Sequence, residues 1–316
     1  MKTKKNKTHK RNITKKNRNS STIHQSSSYI EKLNKCPRSR ITGMESYKIN
    51  CIKNLIIGYE TIKASEETSQ YKDDFVHVVL SKLKDYTEPV VVKIYDNNNF
   101  HLDIETKILE VINGYRNTAT LICDFTCDDN KERYIKKITR HIHFCNKNGS
   151  SEINNNLHFF VYEYIAYGDI SEFFMKNPDS KIIISLILQI MCVIIQLATI
   201  YGIYHGDINT GNILIDKIDN QNIDYCIEGT NFTIKTYGII PKIIDYGRSN
   251  FYQKNTPIPI NNVWFDVIMA FGVIYPYIND SVLKQKVLNI SQKSEMSLPS
   301  LKDYYNYVYN TLFFSR

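Results

Sequence analysis

The chain has 316 residues, of which 42% are hydrophobic and 23% are charged, and this composition excludes a wholly disordered or collagen-like protein. The formal net charge is +8, but residues 1–40 contain 13 Lys and Arg and one acid, which leaves −4 for the other 276 residues. This distribution excludes a strongly basic globular nucleic-acid-binding protein. We predict that residues 1–45 form a disordered basic tail that can contact nucleic acid or acidic surfaces.

Short apolar runs separated by polar stretches dominate the part of the chain that follows the tail, and such runs predict strands. The predicted strands are residues 51–62, 75–83, 89–95, 120–125, 140–145 and 157–164. Apolar residues at helical spacing predict one helix among them, at residues 101–114.

The rest of the chain is mainly helical. We predict helices at residues 169–176, 181–204, 265–277 and 301–314, and short strands at 213–216 and 241–245 that flank a polar insertion at 217–238. This order predicts an α+β protein with two lobes and a cleft between them, a β-rich lobe over residues 46–165 and a mainly helical lobe over residues 166–316.

The segment 182–204 has no charged residue over 23 positions, which is long enough to cross a bilayer. However, Ser185, Gln189, Gln196 and Thr199 lie on one stripe of the predicted helix. A polar stripe favours a buried helix beside a hydrogen-bonding neighbour over a helix that faces lipid. We therefore predict a core helix and no membrane insertion.

Seven cysteines form an odd set without a tight framework spacing, and the N-terminal residues lack the apolar stretch of a secretory signal. Both features favour free thiols in a reducing compartment, so we expect a cytoplasmic or nuclear protein that is not secreted. Five potential ligands would allow a zinc site, although their spacing matches no strong zinc pattern and free buried cysteines are common. They are Cys123, Cys127, His141, His143 and Cys145.

A polar loop at residues 204–212 follows the long helix and leads into an apolar strand. In this loop Asp207 and Asn212 can point into one cleft, where a carboxylate can accept a proton from a hydroxyl and an amide oxygen can bind a divalent cation. Asp245 ends the next apolar strand and is followed closely by Gly247. Asp245 and Asn212 together would supply oxygen ligands of the kind that Mg²⁺ prefers.

These residues resemble the motifs of the protein kinase-like superfamily. His205-Gly206-Asp207 with Asn212 resembles the catalytic loop H-R-D-x-x-x-x-N, and Asp245-Tyr246-Gly247 is similar to D-F-G. Residues 90–93, Val-Val-Val-Lys, are similar to V-A-I-K, and residues 161–169 resemble the hinge strand and linker. The H-G-D and D-Y-G forms are similar to those of divergent Ser/Thr protein kinases of large DNA viruses. The heavy use of Asn, Ile, Lys and Tyr, which is expected from an AT-rich genome, is also similar to these proteins.

The resemblance implies a bilobal protein-kinase-like fold and a serine/threonine protein kinase that uses ATP and Mg²⁺ and acts on a protein substrate. It implies that Asp207 orients the acceptor hydroxyl and takes its proton, and that Asn212 and Asp245 bind Mg²⁺. The implied nucleotide-binding residues are Lys93 and its partner Glu105 at the α/β-phosphates, Val91 next to Lys93, and Glu163 and Ile165 at the adenine edge, with Tyr162 as gatekeeper. Glu110 and Asp103 are the alternatives for the carboxylate partner of Lys93.

Several positions depart from the family pattern. The turn at residues 65–70, ahead of Lys93, has two glutamates and no glycine. Gly206 stands where many members have an arginine that binds a phosphorylated activation segment, and Asn209 stands where Ser/Thr kinases usually have a lysine. We therefore expect no activation by phosphorylation of this segment.

Two alternative functions follow from these departures. Asp245 lies only 21 positions before Asp266, our candidate for the aspartate that braces the catalytic loop. The short interval and the H-G-D form suit a small-molecule phosphotransferase similar to the aminoglycoside kinases. The glycine-free turn suits a pseudokinase, a binding module with weak or no catalysis.

Overall fold

The computed structural model describes residues 55–64, 76–83, 88–96, 99–126, 157–252, 259–292 and 300–314. The predicted tail at 1–45, the turn at 65–70 and the strand at 140–145 lie outside the described residues.

The first part of the described chain is a five-stranded antiparallel sheet with one helix. Its elements are β1 (Leu55–Ala64), β2 (Val76–Leu83), β3 (Pro89–Asp96), α1 (Phe100–Ile112), β4 (Leu121–Thr126) and β5 (Leu157–Glu163). The sheet order is β1-β2-β3-β5-β4, which puts β3 in the centre. Val90, Val92 and Ile94 of β3 are buried on one face, because β-branched side chains suit a strand that is covered on that side.

Helix α1 begins where the Asn99 side chain accepts a hydrogen bond from the N–H of His101, as an N-cap asparagine does. Its buried face carries four apolar residues at helical spacing and one charged residue, Glu105. A carboxylate on a buried face requires partners, and these partners belong to the candidate site.

The second part is mainly helical and contains three two-stranded sheets. Its elements are α2 (Ile170–Met175), α3 (Ser180–Tyr201), β6 (Ile203–Tyr204), a 3₁₀ turn (Thr210–Asn212), β7 (Ile213–Lys217), β8 (Asn222–Ile227), β9 (Thr230–Lys235), β10 (Ile239–Ile243), β11 (Asn250–Phe251), α4 (Ile260–Ile274), a 3₁₀ turn (Tyr275–Tyr277), α5 (Ser281–Gln292) and α6 (Leu301–Phe313). A strand-rich region followed by a helical region confirms the predicted α+β class.

Helix α3 is the central helix of the second part. It is long and apolar enough to cross a membrane, yet 83% of its most apolar window is buried inside the protein. The Ser185 hydroxyl donates to the carbonyl oxygen of Lys235 at 2.6 Å, and the Gln196 amide donates to that of Cys226 at 3.1 Å. Ser185 and Gln196 of the predicted polar stripe therefore face the β8–β9 hairpin, as a core helix with a hydrogen-bonding neighbour requires.

Three features of the second part differ from the sequence-based prediction. Helix α3 ends at Tyr201 instead of residue 204, because Gly202 adopts a left-handed conformation with φ of +73° and a chain in that conformation leaves the helix. The insertion at 217–238 contains the antiparallel β8–β9 hairpin. Helix α5 was not predicted, although its buried Leu283, Val287 and Ile290 follow helical spacing.

The segment that links α1 to β4 connects the sheet to the helical region. The Tyr115 hydroxyl donates to Oε1 of Gln196 at 2.6 Å, and Nδ2 of Asn117 donates to the carbonyl oxygen of Pro241 at 2.9 Å. The N–H of Ile243 in turn donates to the carbonyl oxygen of Asn117 at 2.8 Å. These contacts hold β10, which leads into Asp245, next to the sheet that carries Lys93.

The cysteines only partly follow the prediction of free thiols. Cys192 is free and fully buried, and burial raises the pKa of its thiol well above the ordinary value. Cys123 and Cys226 are each disulfide-bonded, so the prediction is wrong for these two residues.

Candidate functional site

Lys93 lies at the centre of the candidate site. It is 7% exposed, and its Nζ contacts Glu105 Oε2 at 2.8 Å, Glu105 Oε1 at 3.1 Å and Asp245 Oδ1 at 2.7 Å. The alternatives Asp103 and Glu110 are exposed on the other face of α1. The structure therefore pairs Lys93 with Glu105 and brings Asp245, which is 152 positions further along the chain, to the same ammonium group.

The charge state of Lys93 follows from its neighbours. Burial by itself lowers the pKa of this amine, but the negative charges of Glu105 and Asp245 outweigh burial and hold the pKa above its ordinary value. Lys93 is therefore an ammonium ion that is shared by two carboxylates.

Two tyrosines complete the surroundings of Glu105. The Tyr162 hydroxyl donates to Glu105 Oε1 at 3.0 Å, and the Tyr95 hydroxyl donates to Glu105 Oε2. Burial, followed by the negative charge of Glu105, raises the pKa of the Tyr162 phenol well above its ordinary value. The phenol therefore stays protonated and remains a hydrogen-bond donor.

Asp266 fixes the backbone of the loop that carries Asp207. Its Oδ2 accepts from the N–H of His205 at 2.8 Å, and its Oδ1 accepts from the N–H of Gly206 at 3.0 Å. Burial raises the pKa of Asp266 to about 7, although both N–H donors oppose the shift because they favour the ionised form. Asp266 therefore has the bracing contacts that the sequence suggested for it.

His205 has a structural role in this loop. Its Nδ1 accepts from the N–H of Asp207 at 3.3 Å, so the proton is on Nε2, which donates to the carbonyl oxygen of Ile244 at 3.0 Å. Burial lowers the pKa of His205, which keeps the ring neutral. The ring thus ties the loop before Asp207 to the residue before Asp245.

Asp207, Asn212 and Asp245 converge through backbone contacts. Nδ2 of Asn212 donates to the carbonyl oxygen of Asp207 at 2.8 Å, and the N–H of Ile244 donates to the carbonyl oxygen of Asn212 at 3.0 Å. Asp245 follows directly, in a left-handed conformation with φ of +66°, which is uncommon for a residue with a side chain. Because the Asn212 nitrogen is already used, its amide oxygen remains as a possible cation ligand.

The Glu163 side chain has an ion-pair partner that the sequence did not indicate. Glu163 Oε1 accepts from Nζ of Lys242 at 2.5 Å and from the N–H of Thr120 at 2.8 Å, and Lys242 also lies 3.6 Å from Asp216. The sequence places this lysine on a short apolar strand, but it does not show which acidic residue the lysine contacts. The pair joins the end of β5 to β10, which leads into Asp245.

Two of the predicted nucleotide-binding residues, Val91 and Ile165, are apolar. Val91 of β3 is on the same strand face as Lys93 and is half-buried, as is Ile244, which directly precedes Asp245. Ile165 is buried just after β5. A half-buried apolar side chain on the strand face that also carries a lysine suits a ligand that has one flat apolar end and one charged end.

The D-Y-G segment contacts both α1 and the His205 loop. The Tyr246 ring is buried against His205, with 5.2 Å between the ring centroids. Nδ1 of His101 donates to the carbonyl oxygen of Gly247 at 2.7 Å, because a carbonyl can only accept. The first turn of α1 is therefore attached to the segment that follows Asp245.

The described part of the structure does not support the zinc hypothesis. Among the described residues, no group of three or more His, Cys, Asp or Glu could hold a metal ion. Cys123 is disulfide-bonded and so offers no thiolate, and the other four candidates, Cys127, His141, His143 and Cys145, lie outside the described residues.

Comparison with known proteins gives one partial similarity. No protein-family model matches the chain. A segment of 100 residues is 32% identical to the Caenorhabditis elegans protein named "Uncharacterized protein ZK177.2", and it covers 32% of this chain and 32% of that protein. The match thus spans about a third of that relative, whose name states no activity.

Proposed function

We propose that this protein is a serine/threonine protein kinase with a bilobal protein-kinase-like fold, which transfers the γ-phosphate of ATP to a protein hydroxyl with the help of Mg²⁺. The observation that carries the proposal is the contact of Lys93 Nζ with both Glu105 and Asp245, at 2.8 and 2.7 Å. Lys93 and Asp245 come from two separate motifs that resemble those of the kinase family, and Glu105 comes from the helix between them. Both carboxylates meet the ammonium group of Lys93.

The charge of the cluster supports the binding of a divalent cation. One ammonium, Lys93, faces the carboxylates of Glu105 and Asp245, and the Asp207 carboxylate belongs to the adjoining loop, so the four groups have a formal charge of −2. Asp245 and the amide oxygen of Asn212 supply the hard oxygen ligands that Mg²⁺ prefers, and such a site leaves positions for phosphate oxygens. When bound, the metal would neutralise charge on the transferred phosphoryl group.

The nucleotide would bind at the face of β3 that carries Val91 and Lys93. Lys93, fixed by Glu105, would hold the α/β-phosphates, and the half-buried side chain of Val91 would contact the adenine ring. The backbone of Glu163 and Ile165 would hydrogen-bond its edge.

Asp207 would orient the acceptor hydroxyl and accept its proton. Its side chain is half-buried, and its carboxylate accepts no hydrogen bond from any residue that the structure describes. In contrast to Asp266, which holds two backbone N–H groups, this carboxylate is therefore available to a ligand. General-base catalysis requires a carboxylate that is available and lies within hydrogen-bond reach of the substrate hydroxyl whose proton it takes.

We also propose where the protein acts and what its basic tail contacts. The protein would act inside the cell, in the cytoplasm or nucleus, without inserting into a membrane, although disulfides such as those of Cys123 and Cys226 are uncommon in these compartments. Its basic tail would contact nucleic acid or acidic surfaces.

A second candidate function is phosphorylation of a small molecule. The interval between Asp245 and Asp266 is 21 residues, and β11, the strand within it, pairs with β6 over only two residues. So short a segment offers a protein substrate little surface to bind, which favours the second candidate.

Transfer of labelled phosphate from ATP and Mg²⁺ to a panel of protein and small-molecule acceptors tests both functions. We expect transfer to protein acceptors that falls at least ~100-fold in Asp207→Asn. Asp219→Asn is the matched control, because Asp219 is exposed in the turn after β7, and we expect it to keep full activity. Transfer to small molecules alone would favour the second candidate, and no transfer to any acceptor would contradict both.

A further inference from the structure

Two phenol hydroxyls contact the carboxylate that holds Lys93. On the premise of the function proposed above, we propose that Tyr95 and Tyr162 are positioning residues whose hydroxyls fix Glu105 against Lys93, so that this chain assembles the ion pair by itself.

The geometry gives each oxygen of Glu105 two donors. Oε1 is 3.1 Å from Lys93 Nζ and 3.0 Å from the Tyr162 hydroxyl. Oε2 is 2.8 Å from Lys93 Nζ and also accepts from the Tyr95 hydroxyl. A carboxylate has about four lone-pair sites, so these four contacts saturate it and leave it a single orientation.

The charges explain why two further donors are needed. Lys93 divides its single positive charge between Glu105 and Asp245, and Glu105 is 1% exposed, so water does not solvate the excess negative charge. Hydrogen bonds from neutral donors to a buried carboxylate stabilise its ionised form. The two phenols therefore offset a charge imbalance that the ion pair alone leaves.

The phenols also fix α1 relative to the sheet. Tyr95 belongs to β3 and Tyr162 to β5, whereas Glu105 is in the middle of α1. Each hydroxyl therefore links the helix to a different strand. On the proposed function, Gly206 stands where many kinase-like proteins have an arginine that binds a phosphorylated activation segment, and these internal contacts would align α1 without phosphorylation.

The hydroxyl contribution can be separated from the packing contribution. The Tyr95 ring packs edge-on against Phe160 at 5.9 Å between centroids, and Tyr162 packs against the same small core. Phenylalanine keeps these ring contacts and removes only the donor. The variants Tyr95→Phe and Tyr162→Phe are therefore conservative tests of the hydroxyls.

The matched control is Tyr304→Phe. The Tyr304 hydroxyl is buried and has no hydrogen-bond partner among the described residues, and its ring packs on Trp264 of α4. We expect this variant to keep the turnover of the wild type.

The experiment is a double-mutant cycle with Glu105→Met, measured both as turnover and as the urea midpoint of unfolding. We expect kcat for ATP-dependent transfer to fall about tenfold in the double variant Tyr95→Phe/Tyr162→Phe. We further expect that the two hydroxyl deletions cause no further loss of turnover or of the midpoint once Glu105 is replaced. If Glu105→Met does not fold, Glu105→Leu takes its place in the cycle, because leucine also lacks an acceptor for the two hydroxyls.

The outcomes separate this proposal from the proposed function. Additive changes in the urea midpoint, or turnover of the double variant equal to that of Tyr304→Phe, would overturn the positioning role. A wild type without turnover would overturn the proposed function and the catalytic consequence that rests on it. In that case the urea cycle still decides, by itself, whether the phenols hold Glu105.

Discussion

Replacing Lys93 by methionine should destabilise the fold and remove activity by separable routes. The substitution leaves Glu105, which is 1% exposed, buried without a cation. Removing one partner of a buried ion pair costs about 3–5 kcal/mol. We expect about 3 kcal/mol, at the low end, because Tyr95 and Tyr162 still donate to the carboxylate.

A second variant also removes the Glu105 carboxylate, which Lys93→Met leaves without a cation. The double variant Lys93→Met/Glu105→Met has no uncompensated charge at this position, and apolar replacements of a buried pair are often neutral or stabilising. Asp245 also loses its contact with Lys93, but its side chain is 31% exposed, so water can solvate it. The double variant should therefore recover only part of the lost stability, because the Tyr95 and Tyr162 hydroxyls lose Glu105 as their acceptor, and it should recover none of the activity.

Urea unfolding measures the effect directly. With an m-value of about 3 kcal/mol per M, the single variant should lower the midpoint by about 1 M, and the double variant should restore part of this shift. Lys181→Met, at an exposed lysine in the first turn of α3, is the matched control and should change the unfolding free energy by less than about 0.5 kcal/mol. A single variant as stable as this control, or a double variant less stable than the single one, would refute the charge-balance reasoning.

Three further predictions concern individual residues. Gly202→Ala should lower the unfolding free energy by about 2 kcal/mol, because φ is +73° and the new Cβ would lie 2.8 Å from a backbone carbonyl oxygen. Gly272→Ala, in helix α4 with open space around it, should raise this free energy by about 0.5–1 kcal/mol. Urea unfolding of the two variants tests this prediction, and equal effects would contradict it. Since burial raises the pKa of Asp266 from 3.8 to about 7, the folded protein holds a proton between these values that the unfolded chain lacks. The contribution of Asp266 to stability therefore decreases as pH rises through this window. When the unfolding free energy is measured between pH 4 and 7, Asp266→Asn should remove from its pH dependence a slope of about 1.4 kcal/mol per pH unit. A slope in the variant equal to that of the wild type would contradict this prediction. Lys242→Met should cost about 1–2 kcal/mol in the same assay, less than Lys93→Met, because Glu163 keeps its hydrogen bond from the N–H of Thr120 and its side chain is 23% exposed. A larger loss than that of Lys93→Met would count against this ranking.

The elements with strong periodicity were predictable from the sequence. The strands at β2, β3 and β5, the helix α1 and the core helix α3 all lie where the apolar patterns place them. The polar stripe of α3 even indicated which face meets a hydrogen-bonding neighbour. Helix α5 shows the limit, because its polar composition hid three apolar residues at helical spacing.

The site was predictable where a motif orders residues along the chain. The motifs indicated that Lys93, Glu105 and Asp245 belong to one site, and the structure brings their side chains into contact. No such pattern indicates Lys242 as the partner of Glu163, or Tyr95 as a donor to Glu105, because these contacts depend on the register of strands and the orientation of α1. Tertiary contacts of this kind become visible only when the elements are packed together.

Isothermal titration calorimetry of ATP, with and without Mg²⁺, tests most directly whether Lys93, Asn212 and Asp245 form a single nucleotide–metal site. We predict saturable binding of ATP to the wild type that tightens when Mg²⁺ is present, and loss of this Mg²⁺-dependent gain in Asp245→Asn. Folded wild-type protein that takes up no ATP at millimolar concentration, or binding whose Mg²⁺ dependence survives in Asp245→Asn, would contradict the account.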